Sequence, residues 1–319
     1  MANLNKLFGL FNNDITLSSK KKDDLRKGRN ALRDKIRNKF EEKNRTKPKF
    51  HGQGSFMMKT TINPINKDDE YDLDDGVYIQ EYSDVDKDKW PSASTVHTWI
   101  LDAVDEHTSN PPMNKNTCVR VIYAKNYHID LPAYIVKDDV AYLAHKSSGW
   151  IESDPKAFTK WFVGKVNEEG EQLRSLVKYL KAWKDYKSVD LKGIEITILV
   201  GNNFYPAENR DDLSLLGTVT NIINELEDNF ECKKPVGQKE DLFDEASETK
   251  KNSIMNSLKK LRDNLQESIN KDDEEEASKI MMKCFGSRFP KGEKKSTNSK
   301  SDYIKSPAPA ILKNDGRSA

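Results

Sequence analysis

Apolar residues recur three and four positions apart through several long stretches of this chain and alternate in a shorter central region; these two periods predict helices and strands respectively. Residues 19–46 read as a charged helix in which Leu25, Leu32, Ile36 and Phe40 mark one face among many basic and acidic residues. That pattern is a scaffold helix with a packed stripe and a solvated remainder. A second helix is expected over 92–107, capped by Ser92 and carrying Val96, Trp99, Ile100 and Val104. Beyond the Asn110-Pro-Pro turn, 118–124 and 127–136 read as strands joined by a tight polar connection, with a third short run at 140–144. Asp154-Pro155 starts another helix. Residues 168–187 form a strongly amphipathic one through Leu173, Leu176, Val177, Leu180 and Trp183. The apolar stretch 191–205 is open to strand or helix by period alone, and its place between helical segments favours helix. Residues 211–228 and 249–269 are helical by pattern, and 271–276 is a charge run on a solvated face.

The fold class that follows is α+β: a mixed sheet with helices in 1–150, a helical lobe in 151–290, and a flexible tail over 291–319 rich in Lys, Ser, Pro and Ala. Composition supports this division. Only 35% of residues are hydrophobic and the mean hydropathy is −0.83, which implies a core surrounded by much solvated surface. Charge is balanced, 53 basic against 52 acidic residues, which weighs against long DNA as a partner. No stretch approaches the ~20 apolar residues of a membrane span. The start Met-Ala-Asn-Leu-Asn-Lys lacks a secretory apolar region. Cys118, Cys232 and Cys284 lie far apart without metal-ligand spacing, as expected of reduced thiols in a cytoplasmic protein. No coiled-coil seam is evident, and a monomer is the expected state.

Candidate chemistry concentrates in residues 52–79. Gly54-Ser55 offers backbone N–H groups and a hydroxyl to phosphate. Asp72 and Asp74 alternate within an apolar run, so both project from one face of a strand. Two carboxylates on one face repel unless a divalent cation lies between them, and oxygen-only ligands of this kind suit Mg2+ completed by substrate phosphates. A two-metal site calls for a third carboxylate. Asp130, in Tyr127-His-Ile-Asp-Leu-Pro, is the candidate, weighed against a buried salt bridge. Asp75 falls on the opposite face as a structural carboxylate that could cap the turn at Gly76. His128 reads as a satisfied core histidine rather than a ligand, because Mg2+ prefers oxygen.

With those blocks in place, GQGSF…YDLDDGVYI, YHIDLPAYIV, WIESDPKAFTKWF and LRSLVKYLKAWKDY together resemble the bacterial cGAS/DncV-like nucleotidyltransferases, in particular the DncV-type cyclic GMP-AMP synthase branch, over about residues 45–290. The resemblance implies a polymerase-β-like nucleotidyltransferase core packed on a helical lobe, with the active site between. It further implies synthesis of cyclic or short linear oligonucleotide second messengers in anti-phage signalling. By motif position, Gly54 and Ser55 would contact the donor triphosphate, with Gln53 near the nucleotide. Asp72 and Asp74 would bind two Mg2+ (Mn2+ able to substitute), completed by Asp130. Lys181 matches the family's triphosphate-binding helix lysine. The implied substrates are nucleoside triphosphates, ATP and a second base left open. Met57 and Met58 stand where that branch has an aromatic residue, so the bases and the ring size are not implied. The implied partner at the tail is a ubiquitin-transfer-like enzyme acting on Ala319. Two other readings remain: a template-free RNA-tailing enzyme, which would need a basic groove, and a non-catalytic nucleotide-binding module, which would dispense with a catalytic carboxylate.

Overall fold

A computed structural model describes residues 1–66 and 69–294. The tail expected from 291, with the conjugation site expected at Ala319, lies from residue 295 on outside the described residues. The elements in chain order are α1 (Asn5–Ile15), α2 (Ser19–Glu42), β1 (Lys49–Gln53), α3 (Gly54–Met58), β2 (Tyr71–Ile79), α4 (Ala93–Val104), β3 (Met113–Asn114), β4 (Val119–Tyr123), β5 (Tyr127–Leu131), β6 (Ala133–Lys137), β7 (Val140–His145) and β8 (Gly149–Glu152). The helices α5 (Pro155–Glu169), α6 (Glu171–Lys187), α7 (Gly193–Asn203), α8 (Asp211–Asp228), α9 (Glu248–Ile269) and α10 (Glu274–Phe285) follow.

The strands form one mixed sheet in the order β3-β4-β5-β2-β6-β7-β8, with β1 antiparallel on β2. The run expected as a single strand over 127–136 is split at Pro132, which has no N–H to give to a ladder. Both halves nevertheless keep one register on β2: Tyr127 stands opposite Tyr71, and Ala133 opposite Val77. The split lets β5 pair with β4 and β6 pair with β7, so β2 lies at the centre of the sheet.

Local signals fix the helix ends. Ser92 Oγ accepts from Thr95 N–H, and Asp154 Oδ1 accepts from Ala157 N–H at 2.9 Å with Pro155 at the first turn. Gly170, at φ +91°, separates α5 from α6, so the helix expected from 168 begins at Glu171. The segment 191–205 is helical, as its position suggests, and α7 is buried from Glu195 to Gly201.

Two large hydrophobic cores result. One lies under the sheet, where α2 and α4 bury Leu25, Leu32, Ile36, Val96 and Ile100 against Leu73, Val77 and Ile129. The other is the interior of the helical lobe, built on α6 through α10. Residues 5–15, where the sequence pattern predicts no element, form α1, which packs into the helical lobe through Leu7, Phe8, Phe11 and Ile15. Phe8 meets Phe289 nearly edge-on at 5.0 Å between ring centroids. The N-terminus thus crosses to the second lobe before α2 returns to the sheet.

Candidate active site

β2 runs through the middle of the sheet and alternates over its first five residues. Tyr71, Leu73 and Asp75 are buried, while Asp72 and Asp74 are partly exposed on the other face. Those two carboxylates line a cavity of ≈ 600 Å³ between the lobes. Asp75 is held by Arg33 of α2, which donates from Nε to Oδ2 at 2.7 Å and from its terminal nitrogen to Oδ1. Its role is a buried ion pair joining α2 to the sheet, not a cap for a turn at Gly76.

β1 delivers the Gly-Ser turn onto the same face. Gly54 adopts φ +67°, and a Cβ there would collide with the Asp74 carboxylate. Only glycine allows this close approach. Ser55 lines the cavity, shares a 2.8 Å hydrogen bond between its Oγ and Thr61 Oγ1, and its carbonyl accepts from Thr60 N–H at 2.9 Å. Gln53 lines the cavity as well, but its side-chain amide donates to Tyr134 Oη at 3.0 Å, and its buried Oε1 has no protein partner. The two methionines part company: Met58 is buried at the cavity wall, whereas Met57 is 39% exposed outside it.

The opposite wall is α6. Arg174 and Lys178 of its inner face tie the lobes together, Arg174 Nε donating to Met58 O at 2.8 Å and Lys178 Nζ to Thr16 Oγ1 at 3.0 Å. Lys181, one turn on, donates to Thr60 O and Oγ1, each at 3.3 Å, and reaches the same cavity as Asp72 and Asp74. Burial lowers its pKa to about 8, against the attraction of Asp72 in particular. At the rim, Gln238 Nε2 donates to Glu152 Oε2 at 3.1 Å, so the loop after α8 meets the end of β8 across the cavity mouth.

Asp130 lies directly opposite Asp74 on the parallel neighbour β5. It is buried, does not line the cavity, and gives both carboxylate oxygens to Arg120 at 2.8 Å each. Asp130, expected as a third metal-binding carboxylate, is thus engaged in a salt bridge with Arg120. His128 is satisfied by Glu70, Nδ1 to Oε2 at 2.7 Å, as its reading as a core histidine anticipated.

Electrostatics sets this site apart from ordinary surface. Burial pushes the Asp74 carboxyl well above its usual range, Asp72 and Asp130 push it further, and Arg120 and Lys181 only partly oppose them. A desolvated carboxylate repelled by two others is an oxygen site with a deficit of positive charge, and this donor set fits a hard divalent cation. Among the described residues, no three Asp, Glu, His or Cys side chains converge closely enough to form a finished cage. Asp72 and Asp74 facing an open cavity match the habit of Mg2+, which takes one or two carboxylates and completes its shell with water and phosphate.

Several members of this site were not identified from sequence. Thr60 and Thr61 are ordinary loop residues until the turn folds them beneath Ser55 and Lys181. Arg120 could have been found: it alternates with the buried Val119 and Val121, on the face that pairs with Asp130.

A central strand presenting two aspartates beside a glycine-serine turn, with a helical lobe closing the cleft, is the architecture of a nucleotidyltransferase. Comparison with known proteins agrees. Residues 48–134 match the family description "Cyclic GMP-AMP synthase DncV-like, nucleotidyltransferase domain", and residues 170–298 match "Cyclic GMP-AMP synthase, C-terminal domain". The chain belongs to this DncV-like nucleotidyltransferase family. It is 27% identical over 220 residues to a cyclic GMP-AMP synthase of Escherichia albertii, a match covering 65% of this chain and 48% of that protein. It is 25% identical to the cyclic GMP-AMP synthase of Vibrio cholerae, over 77% of this chain and 69% of the relative. The chain thus spans about half the length of the first of these relatives. In structure it is similar to the Vibrio cholerae DncV cyclic AMP-GMP synthase, with a TM-score of 0.76 at 20% identity, covering 90% of this chain and 97% of that one. Among the described residues, no helix is long and apolar enough to cross a membrane.

Proposed function

We propose that this protein is a cyclic-oligonucleotide synthase that joins nucleoside triphosphates by divalent-metal-dependent nucleotidyl transfer, in bacterial anti-phage signalling. The observation that carries the reading is the facing of Asp72 and Asp74 on β2 by Lys181 on α6, across one cavity that Ser55 also lines. A carboxylate pair on one wall and a half-buried lysine on the other suit a triphosphate held in line for displacement of pyrophosphate. Related proteins support the substrate class: a Vibrio cholerae DncV structure of the same fold holds the linear intermediate pppA(3′,5′)pG.

The division of work follows from the side chains. Asp72 and Asp74 would hold the metal, which when bound supplies Lewis-acid polarisation of phosphate oxygens. Lys181 carries the positive charge that offsets the triphosphate and leaving pyrophosphate. The Gly54 backbone and Ser55 hydroxyl orient phosphate oxygens, and the positive φ at Gly54 keeps that turn against Asp74. No side chain here needs to form a covalent intermediate, because a ribose hydroxyl attacks the α-phosphate directly. A second transfer with the two nucleotides' roles exchanged closes a ring.

The test is incubation of the purified protein with Mg2+ and labelled ATP, GTP, CTP and UTP, singly and in pairs. Phosphatase-resistant product identified by nuclease digestion and mass spectrometry supports cyclisation. Extension of an added RNA end would replace the proposal with tailing. No product in any mixture with Mg2+ or Mn2+ would overturn it.

A further inference from the structure

Arg120, Asp130 and Asp74 form one row across three strands. Arg120 of β4 stands directly opposite Asp130 of β5, and Asp130 directly opposite Asp74 of β2. Arg120 closes on Asp130 as a fork, Nε to Oδ1 and Nη2 to Oδ2, both at 2.8 Å. A bidentate pair of this kind uses the guanidinium's planar geometry fully and occupies both carboxylate oxygens. Asp130 is 11% exposed at its side chain, so losing this partner without replacement would leave a nearly buried bare charge beside Asp74. Arg120 itself retains 26% exposure and so has a path toward solvent.

We propose that Arg120 is a resident counter-ion that competes with a divalent cation for Asp130. The inference rests on the reading of Asp72 and Asp74 as the metal-holding pair. While the site lacks metal, the guanidinium neutralises the third carboxylate and limits repulsion across the row. Each Asp130 oxygen keeps a second lone pair, but a carboxylate pinned in the plane of the Arg120 fork can turn an oxygen to a shared cation only by straining that fork. A cation close to the guanidinium also repels it, so the two occupants exclude one another. Metal affinity in the absence of nucleotide is therefore held down by the strain on this pair and by the guanidinium's charge, and Arg120 acts as a positioning residue through Asp130.

The experiment uses the full-length protein without nucleotide. Mn2+ binding is titrated by electron paramagnetic resonance of the free ion, and thermal melting is followed in EDTA and in excess Mn2+. Arg120→Met should bind Mn2+ at least about fivefold more tightly than wild type, within the usual span of coupling between linked sites. It should melt lower than wild type in EDTA and recover in Mn2+, with Arg120→Lys between the two. Adding Asp130→Asn to Arg120→Met should abolish both effects. Equal or weaker Mn2+ binding by Arg120→Met, with the same loss of melting temperature in both conditions, overturns the proposal and leaves Arg120 a structural partner. Should Arg120→Met fail to fold, the wild-type protein decides: saturating Mg2+ should shift the Arg120 Nε–H resonance, and an unmoved resonance overturns the proposal. Failure of the underlying metal reading is separately visible, as unchanged Mn2+ binding by Asp72→Asn, Asp74→Asn.

Discussion

Asp74 and Asp130 face one another in direct register on neighbouring parallel strands, close enough for Asp130 to raise the cost of the Asp74 charge. Folding holds them there because β2 and β5 are both central strands whose apolar alternation permits no slip. The arrangement is costly for the protein alone, a cost that a bound cation would offset.

The first prediction concerns that cost. A carboxyl with a raised folded-state pKa binds protons in the folded protein that the unfolded chain has released, so stability falls as pH rises from the ordinary carboxylate range through the raised value. In EDTA, urea denaturation of wild type should show this decline, and Asp74→Asn should flatten it while folding at least as stably at neutral pH. The same variant should lose more than about 10²-fold in nucleotide transfer. An identical pH slope in both proteins would contradict the assignment.

Gly54 supplies a second test. Alanine there must adopt φ near +67° and place its Cβ against the Asp74 carboxylate. The backbone strain alone costs about 1–3 kcal/mol. Melting should register that loss, and activity should fall further than in other variants of equal stability, because the turn can relieve the clash only by moving Ser55 or Asp74.

If Lys181 binds the triphosphate as proposed, its titration should limit substrate capture at high pH. Its pKa of about 8, lowered by burial, means that the free protein loses this charge as pH rises past 8. The logarithm of kcat/KM for the triphosphate should therefore decline above that point, while kcat at saturation holds to higher pH, since bound phosphate favours the charged lysine. Lys181→Met should lower kcat/KM by about 10²-fold and lose this limb. For stability the sign is opposite: between about 8 and the ordinary lysine value of 10.5 the unfolded chain holds the extra proton, so this group's contribution rises with pH.

Arg33 and Asp75 test the scaffold apart from the chemistry. Asp75 is wholly buried, so Arg33→Ala strands its charge and should cost about 3–5 kcal/mol in urea denaturation. Replacing both residues with apolar ones should restore most of that loss, and a double variant as unstable as the single one would refute the pairing.

Much of this site is legible in local sequence. Strand alternation alone puts Asp72 and Asp74 on one face and Asp75 on the other, and Ser92, Asp154 and Pro155 mark helix starts by chemistry that acts within a few residues. Long-range pairing is different. That Asp75 answers to Arg33, that Gln53 gives its amide to Tyr134, and that α1 crosses to the helical lobe depend on contacts with no local signature. Pro132 shows the boundary between the two: its missing N–H is a local signal for the interruption that a single strand over 127–136 overlooks, but nothing local says that the strand resumes in the same register.

The sequence by itself determined which residues are candidates for the chemistry and how those on β2 face, because the period of a strand fixes side-chain direction along it. Residues 52–79 already contained a turn shaped for phosphate and a carboxylate pair suited to a cation. Only the tertiary structure decided how these are used. Sheet register set Asp130 beside Asp74 and Arg120 beside Asp130, and lobe packing brought Lys181 to Thr60. Charge and burial act through space, so the state of each carboxylate follows from neighbours that the chain order keeps far apart.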